Sequence, residues 1–166
     1  NPARGLPMIN GVVNLLDDTT GALRALVDFH LVTKWKTAGD SLLSARRLAR
    51  PDARRVLVIG AGGLGSPALL YLAGAGVGHI SLFDDDVVSP SNLHRQVIHT
   101  TAAIGTPKTD SAAAALRALN PEVDITCYGR LESATALEQL RGCDLILDGT
   151  DNFDARYLSS WAAHEL

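Results

Sequence analysis

The residues of this chain that could do chemistry fall at intervals after position 59. Gly60-Ala61-Gly62-Gly63-Leu64-Gly65 fits G-x-G-x-x-G. In that pattern the first glycine allows a tight turn, the second lets a phosphate approach the backbone, and the third lets a helix pack on a strand. Backbone N–H groups and the positive end of the helix then face an anion. Asp84-Asp85-Asp86 comes nineteen residues after Gly65, where an acidic side chain can take ribose hydroxyls; Asp84 and Asp86 are candidates, and Asp85 reads as solvated. In Ser91-Asn92-Leu93-His94-Arg95-Gln96, Arg95 offers a planar fork for phosphate and Asn92 an amide. His94 reads as a surface imidazole. Lys108 follows Thr106-Pro107 in the first turn of a helix. The macrodipole disfavours a cation there, and a bound polyphosphate would reverse the penalty. Asp151, in Gly149-Thr150-Asp151-Asn152, could hold Mg²⁺ together with substrate phosphates, with Asp148 as a second acidic neighbour. Its plainer reading is a helix cap. The glycine pattern alone leaves NAD and ATP equal.

These residues need a scaffold that brings strand ends together. Arg55–Gly60 is a short apolar, β-branched run, the mark of a strand buried on both faces. Further strands are expected at 79–84, 124–128 and 144–148, with helices at 66–75, 107–119, 134–141 and 152–166. The long polar stretch through Thr101 has no clear period and reads as a functional loop. The alternation predicts an α/β fold: a Rossmann-like parallel sheet with helices on both faces. Upstream, Val12–Leu16 and Ala22–Phe29 flank the turn cluster Asp17–Gly21 and predict a β-hairpin. Apolar residues at Leu31, Trp35, Ala38, Leu42, Ala45 and Leu48 predict an amphipathic helix over 30–49, ended by Pro51. The division expected is 1–53, hairpin plus helix, and 54–166, nucleotide-binding domain.

Composition narrows the function classes. A chain of 166 residues with 46% hydrophobic and 20% charged residues has the makeup of a globular protein of one ordinary domain's mass. Its net charge of −3 argues against a nucleic-acid binder. Cys127 and Cys143 form no CxxC pair and read as small buried thiols. No apolar run reaches the roughly 18 residues of a membrane helix, and no leader is visible, so a cytoplasmic setting is expected. The chain begins with Asn1 rather than Met, and a piece of something larger is the expectation.

Five blocks in order carry a family resemblance: Val56–Ser66, Asp84–Asp86, Ser91–Gln96, Ile104–Lys108 and Asp148–Asn152. Together they resemble the ubiquitin-activating-enzyme-like adenylyltransferases, above all those of molybdopterin-synthase and thiazole sulfur carriers. The resemblance implies ATP and Mg²⁺, and a ubiquitin-like sulfur-carrier partner whose C-terminal Gly-Gly carboxylate becomes an acyl-adenylate. It implies that Gly60, Gly62, Gly63 and Gly65 line the nucleotide, Asp84 takes the ribose, and Asn92, Arg95 and Lys108 hold phosphates. Gln96 would support that cluster and Asp151 would hold Mg²⁺. Arg95, Lys108 and Asp151 are thus the catalytic candidates. Charge neutralisation and alignment suffice for such chemistry, which fits the absence of any visible nucleophile–base pair.

The first fifty residues depart from that pattern. Gly5–Asp17, Leu31–Ser41 and Ala45–Asp52 resemble ornithine-cyclodeaminase-like NAD(P)-dependent reductases, and the resemblance implies that Lys36 contacts a substrate carboxylate. An amino- or imino-acid reductase fragment is therefore the alternative function, and a non-catalytic nucleotide-binding or dimerisation module is another. The later strands, reactive cysteine and zinc pairs of the adenylyltransferases would lie past Leu166, so ATP·Mg²⁺ binding with weak or absent turnover is expected. Uncovered sheet edges make a homodimer the expected assembly.

Overall fold

The computed structural model describes residues 11–28, residues 52–166 and the single positions Val32, Lys36, Gly39 and Leu43. The helix expected over 30–49 lies outside the described residues except at those four positions, each of them helical, with Lys36 exposed.

Strand β1 (Val12–Leu16) and strand β2 (Leu23–Asp28) pair antiparallel, with a register shift between Leu15 and Leu16. The turn between them is built by one side chain. Asp17 Oδ1 accepts from the N–H of Thr19 (3.1 Å), the N–H of Thr20 (2.8 Å) and the Thr20 hydroxyl (2.9 Å). This is the local acceptor role that makes Asp a turn residue. Gly21, at φ +69°, takes the left-handed position that closes the turn.

The second unit is the sheet expected from sequence periodicity. Strands β3 (Arg55–Ile59), β4 (His79–Phe83), β5 (Asp124–Tyr128) and β6 (Leu145–Asp148) lie parallel in the order β5-β4-β3-β6. Alternation along β3 divides the core in two. Val56 and Val58 join Ile80, Leu82 and Ile125 beneath helices α1 (Gly65–Gly74) and α2 (Lys108–Leu119). Leu57 and Ile59 join Phe83 on the other face, beneath α3 (Ala136–Leu140) and α4 (Phe153–Glu165). Each face buries its own apolar set, which is why β3 is apolar without a break.

Two local expectations differ. Helix α3 is shorter than the pattern suggests, because residues 133–135 form a turn in which the N–H groups of Thr135 and Ala136 both donate to Glu132 O. The stretch from Asp85 to Thr101 is not a free polar loop. It contains a 3₁₀ turn at Pro90–Asn92 and buries Val88, Gln96, Ile98 and His99, with Ile98 joining the core beneath α1 and α2. Cys127 and Cys143 are half-buried, and burial raises both thiols above their ordinary pKa.

Candidate functional site

A cavity of about 1180 Å³ opens at the carboxyl ends of the four strands, where doubly wound sheets bind ligands. Its floor is the glycine loop. A Cβ on Gly65 would lie 1.7 Å from the Gly60 carbonyl oxygen, so the start of α1 packs directly on the end of β3. Gly60 has φ +93° and donates its N–H to Phe83 O at 2.7 Å. Between them the loop's peptides are fixed at Ala61, whose N–H donates to Asp84 Oδ2 at 2.7 Å. Its carbonyl accepts from the Ser66 hydroxyl at 2.9 Å. Among the described residues, the N–H groups of Gly62, Gly63 and Leu64 make no hydrogen bond. Three unpaired donors at a helix N-terminus suit an anion.

The structure brings the expected residues around this loop. Gly60, Gly62, Gly63, Asp84, Asp86, Asn92, Arg95, Gln96, Lys108 and Asp151 all line the cavity. Gly65 instead supplies the close backbone contact beneath it. Arg95 is exposed and lies along Gly63, where a Cβ would meet its Cδ at 3.4 Å. The Gln96 amide sits under Gly62, its Nε2 3.9 Å from the point where a Cβ on that glycine would stand. Gln96 is 3% exposed, and its Oε1 is the one fully buried side-chain acceptor without a partner among the described residues. His94 is half-buried beside Arg95, with Nε2 at 3.5 Å from Nη1.

The acidic run behaves differently from a solvated loop. Asp84 turns inward, its side chain 8% exposed, and also accepts the Asp86 N–H at 2.9 Å. Lys108 Nζ lies 2.6 Å from Asp86 Oδ2 and 3.9 Å from Asp84 Oδ1. Two carboxylates therefore offset the cost of a buried cation at the N-terminus of α2; a polyphosphate is not required for that purpose. The three aspartate oxygens lie within 4.8 Å of one another. With Lys108 already against two of them, this group is a poor cation site.

Across the cavity, Asp148 is committed to the loop after β6. Its Oδ1 accepts from Thr150 N (2.9 Å) and Thr150 Oγ1 (2.7 Å), and its Oδ2 from Ser159 Oγ (2.8 Å). It shapes that loop rather than standing free beside Asp151. Arg156 Nε adds a bond to Thr150 O at 3.0 Å. Asn152 caps α4 by accepting Asp154 N at 2.9 Å, and Asp151 is exposed on the cavity wall, its carboxylate making no hydrogen bond or ion pair among the described residues. A carboxylate in that position fits Mg²⁺ carried in on a phosphate.

Three features escape sequence reading. His99 lies under the glycine loop, 6% exposed, with Nε2 3.2 Å from Ala61 O; only the unexplained polarity of that stretch pointed to it. Arg156 follows Asp151 by five residues, but nothing in its spacing tells that it grips Thr150 O. At the opposite end of the sheet, His79 bridges Asp124 (2.8 Å) and Ser81 (3.1 Å). Ser81 is 4% exposed, so this chain of polar groups presents no accessible nucleophile.

Comparison with known proteins decides the family. The model of the ThiF family matches residues 40–166. The chain belongs to the ThiF family. Among ThiF-like relatives, "Adenylyltransferase and sulfurtransferase MOCS3" of Arabidopsis thaliana is 56% identical over 106 residues, covering 63% of this chain and 23% of that protein. "SAMP-activating enzyme E1" of Haloferax volcanii is 50% identical over 105 residues, covering 63% of this chain and 39% of that protein. The fold agrees with a solved structure of E. coli tRNA N6-threonylcarbamoyladenosine dehydratase, TcdA, in complex with AMP, at TM-score 0.62 and 27% identity. That match covers 73% of this chain and 51% of the other. The ThiF match begins at residue 40 and so leaves the hairpin outside it. The chain spans well under half the length of the two relatives.

Proposed function

We propose that this chain is the nucleotide-binding part of an ATP-dependent adenylyltransferase that activates the C-terminal glycine carboxylate of a ubiquitin-like sulfur carrier. The observation that carries the reading is the cavity floor: three unpaired N–H groups of the glycine loop, ringed by Arg95, Lys108 and Asn92. The names of the relatives, adenylyltransferases among them, supply the reaction class.

In this reading the loop N–H groups and Arg95 hold the phosphates, and Lys108 exchanges Asp86 for a phosphate oxygen when nucleotide enters. Asp84 and Asp86 face the ribose side, and Gln96 lends its unpartnered amide to the cluster. Asp151 would hold Mg²⁺, which when bound would supply neutralising charge to the phosphates. The carrier's carboxylate oxygen attacks the α-phosphorus of ATP. The bond from that phosphorus to the bridging oxygen breaks, and pyrophosphate leaves with the electron pair. No proton moves, so alignment and charge are all the protein must supply. Turnover by these 166 residues alone is proposed to be weak or absent. A homodimer, in which exposed edges of β5 and β6 are covered, and a cytoplasmic setting complete the proposal, as does the division of the chain near Arg54.

Calorimetric titration of the chain with ATP·Mg²⁺ and, separately, with NADH tests it. Saturable ATP·Mg²⁺ binding without NADH binding is expected. Tight NADH binding with no ATP signal overturns the reading in favour of a reductase fragment.

A further inference from the structure

His99 lies in the long polar stretch that ends at Thr101, yet it is buried between the glycine loop and α2. Its Nε2 lies 3.2 Å from the Ala61 carbonyl oxygen, and its Nδ1 lies 2.9 Å from Ser111 Oγ. A carbonyl only accepts, so Nε2 carries the proton and Nδ1 accepts from the Ser111 hydroxyl. Ser111 stands one turn after Lys108 on α2. One imidazole thus ties the glycine loop to the helix that presents Lys108. Ala61 is held from both sides, its N–H by Asp84 and its carbonyl by Ser66 and His99. The three peptides that follow it are the ones with unpaired N–H groups.

We propose that His99 is a positioning residue of the phosphate site: its Nε2–H holds the Ala61 peptide, and its Nδ1 holds α2, at the spacing that aims the loop N–H groups and Lys108 at one anion. The inference rests on the nucleotide reading above for its ligand. Burial, and then the charge of Lys108, hold the imidazole below its ordinary pKa, while the Ala61 bond and Asp84 act the other way. That balance agrees with the neutral tautomer the geometry requires.

Two substitutions separate the ring nitrogens. A glutamine amide reaches the Nε2 position and an asparagine amide the Nδ1 position, so His99→Gln keeps the donor to Ala61 and His99→Asn does not. In the full chain, ATP·Mg²⁺ and adenosine are titrated by calorimetry against wild type and both variants. His99→Asn is expected to weaken ATP binding about tenfold, the effect of one buried hydrogen bond, with adenosine binding unchanged. His99→Gln is expected to retain most of the ATP affinity. Equal loss in both variants, or parallel loss of adenosine, overturns the positioning role in favour of a structural one. If wild type binds neither ligand, the nucleotide reading fails by itself. Amide exchange at Ala61 in the free chain then decides the inference: faster exchange in His99→Asn than in wild type and His99→Gln supports it, and equal rates in all three overturn it.

Discussion

A β-carbon placed on Gly65 would stand 1.7 Å from the carbonyl oxygen of Gly60. Backbone meets backbone at that point, so no side-chain adjustment can relieve the overlap. Gly65→Ala is expected to cost at least about 3 kcal/mol of stability by prising α1 from the end of β3. Thermal unfolding of the two proteins checks this. An unchanged midpoint would mean that the loop shifts without cost.

Lys108 and Asp86 make separable predictions. Lys108→Ala leaves the inward-facing Asp84 without its nearest cation and takes a charge from the cavity. It is expected to lower stability by roughly 1–3 kcal/mol and to weaken ATP binding more than tenfold. Asp86→Asn frees Lys108 from its 2.6 Å partner, and ATP affinity is expected to hold or rise. Calorimetry on both variants checks the pair; parallel losses would show that the Asp86 carboxylate contributes more to nucleotide binding than its hold on Lys108 takes away.

Arg95 and Asp151 are exposed, so their substitution is expected to spare the fold. Arg95→Ala should reduce ATP affinity roughly tenfold with no change in melting temperature. Asp151→Asn should abolish the gain in affinity that Mg²⁺ gives, measured as the difference between titrations with Mg²⁺ and with a chelator. If either variant binds ATP·Mg²⁺ as wild type does, the role assigned to that residue is wrong.

Asp17 sets an acid limit on the hairpin. The Arg24 guanidinium, 2.6 Å away, and then the Thr20 N–H hold its carboxyl down at about 2, against an ordinary 3.8. A depressed folded-state pKa contributes stability that is present above the unfolded value and is lost as pH falls through the folded one. The hairpin should therefore hold at neutral pH and loosen between about pH 4 and 2. Chemical shifts of Thr19 and Thr20 amides report it, and Arg24→Ala should move the change to higher pH. An invariant titration in that variant would remove Arg24 as the cause.

Much of the sheet was legible because burial on both faces forces unbroken β-branched runs such as Val56–Ile59, and because G-x-G-x-x-G has meaning only between a strand and a helix. The residues around the cavity were legible as types at a strand end. Their partners were not. Lys108 and Asp86 are twenty-two residues apart in a stretch with no period, so their ion pair depends on how that stretch folds back on the sheet. The same holds for His99, which resembles a surface histidine until Ile98 and Val88 are seen to drag the segment into the core. Asp148 and Asp151 look alike in sequence; only the hydroxyls of Thr150 and Ser159 tell the clamped carboxylate from the open one.

The strand order has a kinetic consequence. β3 and β6 are neighbours in the sheet, yet Arg55 N reaches the Asp144 carboxylate across 89 residues of chain. Closing so large a loop is slow, and little of its entropy is recovered before the strands meet. The wall bearing Asp151 therefore docks after the β3–β4 hub has formed, and ligand capture is acquired late, as a single event. In stopped-flow refolding, a fluorescent ATP analogue should bind with a lag behind the recovery of helical ellipticity. Binding in step with that recovery would show that the glycine loop captures nucleotide before its opposite wall arrives.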